Sequence, residues 1–445
     1  MVIAAYIKGV IEIAYEAYIT RLKNVEKHSN ADRLQKAQCF GNQVIVDLSY
    51  KEGDLGVYFP SDGKLGQEFA EVNNLLRKKD QNGNNVGGFI DPVKRNIKAI
   101  KLRGEKSDGL FLKLDSLSKF TDISTLKEGD AITVLNGTLI CEKYVPKRNA
   151  RSGGNTPKQK KVNKIKYPWF AEHEDTKQLM YYLRNIHPGD ICTLTLKLHG
   201  TSARTANTVR EEKRKQNFWQ RIWHKKTEPI RSWGVVSGSR RVTLDFENQE
   251  VANDGWYGNN DFRKKWHDFI APKLHKGEEV FYEIVGYVDE NTLIMPQGNN
   301  KKVGDAEFVK QYGDTTEFTY GCKPGENEAY VYRMTKTDED GYVVEYPDWY
   351  MRVRAEQMGL KVVPKFEDFI YTTEKTMLKR VEKYVDGPDP IGKTHVREGV
   401  VLRVQNRNKF EAYKNKNFSF KCIEGIIKDS AAVPDMEEAQ EEAAQ

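Results

Sequence analysis

Lys197-Leu198-His199-Gly200-Thr201-Ser202 sets a lysine two residues from a flexible His-Gly step. A deprotonated lysine amine in such a place can attack phosphorus and carry a nucleotide on its own side chain. The lysine follows Thr193-Leu194-Thr195-Leu196, a β-branched and aliphatic run that reads as a buried strand, so the amine is expected at a rigid strand end. A lone lysine there is usually a solvated end residue, so partners elsewhere must decide.

Four segments offer partners. Val235 to Arg240 ends a strand on an arginine, Val280 to Gly286 puts Glu283 inside an apolar strand, and Arg397 to Leu402 brings Glu398 to the start of another. A carboxylate in apolar surroundings is costly unless a cation or donor meets it, so Glu283 and Glu398 point either to a bound ligand or to a buried arginine. In Tyr413-Lys414-Asn415-Lys416 the two lysines are two apart, so on a strand both ammonium groups face one side and can grip one phosphate. Alternate lysines on an exposed edge strand are the rival reading.

These residues need a scaffold, and 445 residues suggest two domains, with three as the alternative. With 38% hydrophobic, 30% charged and 11% aromatic residues, the chain is polar but too rich in aromatics for general disorder. The net charge of +7 is uneven: residues 147–164 are basic without an acid, and 435–442 are acidic. Cys39, Cys141, Cys192, Cys322 and Cys422 lie far apart without a C-x-x-C pair, which fits a reducing compartment and argues against disulfides or a zinc site. Lys8, Glu12 and Glu16 interrupt the apolar start, so no signal peptide is read there, and no apolar run approaches the roughly 20 residues a bilayer requires. A cytoplasmic protein without a membrane role is expected.

Short apolar runs at Ala17 to Leu22, Val44 to Leu48, Leu55 to Phe59, Ile97 to Leu102, Leu110 to Leu114 and Ala131 to Leu135 predict strands of a small barrel or sandwich. Glu52-Gly53-Asp54 and Glu128-Gly129-Asp130 read as turns before two of them. Residues 147–164 read as a flexible basic linker. Beyond it, Asp175 to Ile186 predicts a helix capped by Asp175 or Thr176, with Leu179, Met180 and Leu183 on one face. Residues 208–232 form a basic insertion carrying Trp219 and Trp223, either a solvated amphipathic helix or an RNA contact.

The order and strand context of the five segments resemble the covalent nucleotidyltransferase superfamily of polynucleotide ligases and capping enzymes. Lys197 to Gly200 corresponds to motif I, Ser239-Arg240 to Ia, Glu283 to III, Glu398 to IV, and Lys414 with Lys416 to V. DNA ligases and capping enzymes carry aspartate where this chain has His199, so K-x-H-G-T is closer to the second RNA ligase family. Phe418-Ser419-Phe420-Lys421 and Trp349 to Pro364 are similar to that branch too. His28 to Leu34, Lys101 to Gly104 and Ser107 to Gly109 look like the OB domain of the fifth RNA ligase family.

The resemblance implies an α+β fold: an OB-type β-barrel over 1–146, the linker, a transferase domain with antiparallel sheets and flanking helices over 165–430, and a disordered acidic tail over 431–445. It implies an ATP-dependent RNA ligase, using Mg²⁺ or Mn²⁺, that acts as a monomer to join 3′-OH and 5′-phosphate RNA ends, at nicks in duplex RNA. Lys197 would carry AMP. Lys414 and Lys416 would hold the α-phosphate, and with a metal they would lower the nucleophile's pKa from its ordinary value of about 10.4. Glu283 and Glu398 would bind metal or ribose, and Arg240 would touch ribose or RNA phosphate. Tyr332 would stack on adenine, or pack in the core. His199, with Gly200 beside it, would orient motif I or touch the ribose, or serve as a structural histidine. Leu196 and Ser202 depart from the RNA ligase pattern, and Lys177 stands near where some relatives have arginine. A DNA ligase, a capping-type transferase, or an inactive RNA-binding OB protein are the alternatives.

Overall fold

A computed structural model describes residues 15–83, 86–145, 165–213, 228–247 and 257–429. The linker 147–164, the tail 431–445, the first 14 residues, and Trp219 and Trp223 of the insertion lie outside the described residues. The chain divides into two compact units. None of the described helices is long and apolar enough to cross a membrane.

The first unit takes described residues up to 145, with Asn300–Lys310 and Lys421–Asp429. Its four-stranded antiparallel sheet runs Ala131–Ile132, Ala17–Arg21, Leu55–Phe59, Leu110–Lys113. Val57 pairs with both Ile19 and Leu112, and Ile19, Val57, Phe59, Phe69, Leu117 and Ile140 form the core. Each such side chain, fully buried, contributes ~2 kcal/mol. Lys23–Lys27, Leu34–Cys39 and Asn42–Asp47 form a second sheet. Gly53 and Gly129 adopt φ of 85° and 98°, the left-handed conformation that the two Glu-Gly-Asp turns require. The strand predicted over 131–135 is broken into Ala131–Ile132 and Val134–Leu135. Asn136 and Gly137, at φ 45° and 86°, turn the second piece back onto Thr138–Leu139, as an Asn-Gly pair favours.

The second unit takes described residues 165–299 and 311–420 and is built on two sheets. One runs Lys177–Gln178, Ala412–Lys416, Gly399–Val404, Ile191–Lys197, Lys365–Ile370. The other is seven-stranded and centres on Ile230–Ser239, Thr201–Glu212, Glu278–Gly286 and Asn327–Thr337. Helix Glu374–Val385 lays Met377 and Val381 against Leu194, Val400 and Leu402 of the first sheet. Helix Asp348–Gln357 is fastened by Arg354, whose Nε and Nη2 donate to the two Glu278 oxygens at 2.9 and 2.8 Å. Burial alone would raise the Glu278 carboxyl, but these hydrogen bonds hold it below the usual carboxylate range.

The helix expected over 175–186 does not form. Lys177–Gln178 adds a short parallel strand beside Tyr413 and Lys414, and Leu179–Tyr181 and Leu183–Asn185 are single 3₁₀ turns. The sheet edge takes the backbone of the first turn, and Leu179 and Ile186 fill the core beneath it. Tertiary pairing thus outweighs local helical preference.

Candidate active site

The lysine segment is the crossing between the two sheets. Ile191–Lys197 is a strand of one sheet and Thr201–Glu212 a strand of the other, so Leu198, His199 and Gly200 bridge them. Alternation within the first strand buries Leu196 and leaves Lys197 at the strand end, its side chain 22% exposed. Leu196, the departure from the RNA ligase pattern, is therefore a core residue here.

Strand register assembles the charged group. Lys197 lies opposite Gly399, and Gly399 opposite Lys416, so three neighbouring strands bring lysine, glutamate and lysine to one line. Glu398 Oε1 meets Lys197 Nζ at 2.9 Å and Lys416 Nζ at 3.3 Å. The glutamate is buried, and its Oε2 has no hydrogen-bond partner among the described residues; His199 Nδ1 stands 3.9 Å from it. Gly399 has φ 152°, and a Cβ on it would collide with Asn415 O and approach Lys416 Cα at 2.8 Å. Only glycine lets the chain turn the glutamate into this line. Lys414 pairs with Val401 and shares a strand face with Lys416.

Glu283 approaches from the second sheet, directly opposite Ser202. Its Oε1 accepts from Gly200 N and its Oε2 from Ser202 Oγ, both at 3.1 Å. Ser202, the other departure, thus holds the carboxylate. A Cβ on Gly200 would strike Ile284 O and come within 3.0 Å of Glu283 Cγ. The His199 ring lies edge-on to Phe318 and Phe420, with centroids at 4.7 and 4.8 Å.

Arg240 and Tyr332 meet in a different group, around residues 173–175. Arg240 pairs with Asp175, which also has Arg241 Nη2 at 3.8 Å and His173 Nε2 at 3.7 Å. Tyr332 Oη shares a hydrogen bond with His173 Nδ1 at 3.0 Å. The ammonium of Lys177 lies over the Tyr182 ring at 4.9 Å. Asp175 was legible only as a helix cap, and His173 carried no signal. The buried Arg263, which donates to Thr201 Oγ1 at 2.8 Å, was missed as well. Deeper in the same sheet, Arg204 sits over Phe170 at 3.8 Å and 3.8 Å from Glu279. Burial pushes the Glu279 carboxyl up to about 8 despite that guanidinium.

The arrangement presents a lysine amine, two further lysines and two carboxylates, one of them with a buried oxygen that has no hydrogen-bond partner among the described residues. Such a set can neutralise a phosphate and hold a hard cation. Among the described residues no cluster of three or more His, Cys, Asp or Glu is placed to hold a metal alone, so further ligands would have to come from phosphate and water.

A family model described as an OB-fold domain matches residues 16–114. Solved structures of Naegleria gruberi RNA ligase are similar over nearly the whole chain. A variant with ATP and Mn is 16% identical at a TM-score of 0.54, covering 92% of this chain and 97% of that one. An apo variant is 16% identical at 0.56, covering 92% and 98%. The same ligase with PPi is 17% identical at 0.54, covering 91% and 97%. No curated protein sequence matches. The chain therefore has the architecture of those ligase structures: an OB-fold module followed by a nucleotidyltransferase fold of the ligase type.

Proposed function

We propose that this protein is an ATP-dependent RNA ligase that joins 3′-OH and 5′-phosphate ends, at nicks in duplex RNA, through a lysine–AMP intermediate on Lys197. The observation that carries the reading is the shared carboxylate: Glu398 Oε1 lies between Lys197 and Lys416 while its Oε2 is left unsatisfied. The similar Naegleria ligase was solved with ATP and Mn, with AMP and Mn, and with PPi, which supports ATP and a divalent metal for this chain.

In the first step Lys197 Nζ, having lost its proton to solvent, forms a bond to the α-phosphorus of ATP. The bond from that phosphorus to the bridging oxygen breaks, and its electron pair leaves with pyrophosphate. Lys414 and Lys416 neutralise the α-phosphate oxygens. Glu398 holds the Lys197 amine in an ion pair, so engaging Glu398 elsewhere frees the amine for attack. Glu398, through the Oε2 that has no hydrogen-bond partner among the described residues, and Glu283 would hold Mg²⁺ or Mn²⁺, which would withdraw charge from the phosphate oxygens. Arg240 and Tyr332 would hold ribose and adenine, and His199 would keep the crossing in place. In the second step the N–P bond breaks as a 5′-phosphate oxygen of RNA takes AMP. In the third, a 3′-OH attacks the activated 5′-phosphate and AMP leaves.

Intact-mass spectrometry with ATP and Mg²⁺ tests the first step: wild type gains one AMP and Lys197→Ala gains none. Labelled GTP in place of ATP identifies a capping-type transferase, and sealing of nicked DNA but not RNA identifies a DNA ligase. Wild type without any adduct would leave the inactive RNA-binding reading.

A further inference from the structure

Tyr320 belongs to none of the segments that mark the site in the sequence, yet its hydroxyl accepts the main-chain N–H of His199 at 2.7 Å. Its backbone is left-handed at φ 54°, an outlier for a bulky residue and one that persists only where the surroundings impose it. The neighbours do so. Gly321 is left-handed too, at φ 84°, and a Cβ on Gly392 would collide with Gly321 N, so this turn is clamped between glycines. The Tyr320 ring is 4% exposed and edge-on to His395, with centroids at 4.5 Å. His395 in turn meets Phe318 at 5.1 Å, and Phe318 meets the His199 ring at 4.7 Å.

His199 is thus held twice, by its main chain on Tyr320 and by its ring on Phe318 and Phe420. Burial raises the phenol well above its ordinary pKa, and the charges of Glu398 and Glu283 act on it in the same direction, so the oxygen stays neutral while it accepts from His199. A strained, buried tyrosine whose hydroxyl reaches a peptide two residues from the nucleophile has more than a packing role. We infer that Tyr320 is a positioning residue: its hydroxyl fixes the Leu198–His199 peptide and so aims the Lys197 amine at Glu398. This inference rests on the ligase reading of the site.

Tyr320→Phe keeps the ring and removes only the oxygen. In the full chain, kcat for lysine–AMP formation is expected to fall about tenfold to a hundredfold with the KM for ATP little changed. Hydrogen exchange of the His199 amide should speed up while amides of the Ile191–Lys197 strand stay protected. Unchanged kcat, unchanged exchange at His199, or a loss of protection spread evenly over the domain would each overturn the inference. Wild type that forms no AMP adduct would refute the ligase reading instead, and exchange at His199 would still decide whether Tyr320 anchors the crossing.

Discussion

Replacing Glu398 by glutamine should destabilise the second unit, because one buried carboxylate is the common counter-charge of two lysines. Lys197 and Lys416 approach its Oε1 at 2.9 and 3.3 Å. At an effective dielectric constant of about 20, each contact represents roughly 5 kcal/mol of Coulomb attraction. Glutamine forfeits that attraction but also removes the several kcal/mol spent on desolvating the carboxylate. Partial exposure of Lys197 and Lys416, 22% and 14%, discounts the gain further. A net loss of about 3 kcal/mol remains, which for a unit of this size lowers Tm by about 6–12 °C. Thermal unfolding followed by circular dichroism measures it. Lys416→Met in the same background removes one of the two stranded ammonium groups and should restore part of the loss, a coupling that a double-mutant cycle isolates. If Glu398→Gln melts at or above wild type, or if the two substitutions simply add, the shared-carboxylate argument is wrong.

Two further outcomes follow from charge pairs. Glu279 is pushed up to about 8 by burial, so the folded state favours its protonated form; the stability it contributes is full below the ordinary carboxylate range and is lost as pH rises through about 8. The Tm of wild type should fall between pH 6 and pH 9 by more than that of Glu279→Gln, and equal slopes would refute the assignment. Asp175 is the counter-charge of Arg240, and losing a charged hydrogen bond costs about 1.5–3 kcal/mol. Asp175→Asn should therefore raise the KM for ATP in adduct formation about tenfold or more, and an unchanged KM would separate Arg240 from nucleotide binding.

The candidate site is legible in the sequence because its residues sit in short, self-contained patterns. A lysine after a β-branched run, a glutamate inside an apolar strand and two lysines two residues apart each show their placement through the alternation of one strand. The same alternation marks Leu55–Phe59 and the buried strand ahead of Lys197. It cannot mark a helix that a neighbouring sheet edge captures, so Lys177–Gln178 and the turns after it were misread. Nor does it reveal Tyr320 or His173, whose importance lies in contacts 121 and 159 residues away along the chain.

The pattern of the chain alone singles out the side chains proposed for the work: Lys197 as the proposed nucleophile, with Glu283, Glu398, Lys414 and Lys416 as its expected charged company. That Glu398 is shared by two lysines, that Ser202 and Gly200 hold Glu283, and that Asp175 pairs with Arg240 emerges from the fold. Strand register is the cause. A strand's own pattern sets which face each residue occupies, but which strand ends fall in line is fixed by hydrogen-bonded pairing between strands, here Lys197 with the distant Gly399 and Gly399 with Lys416.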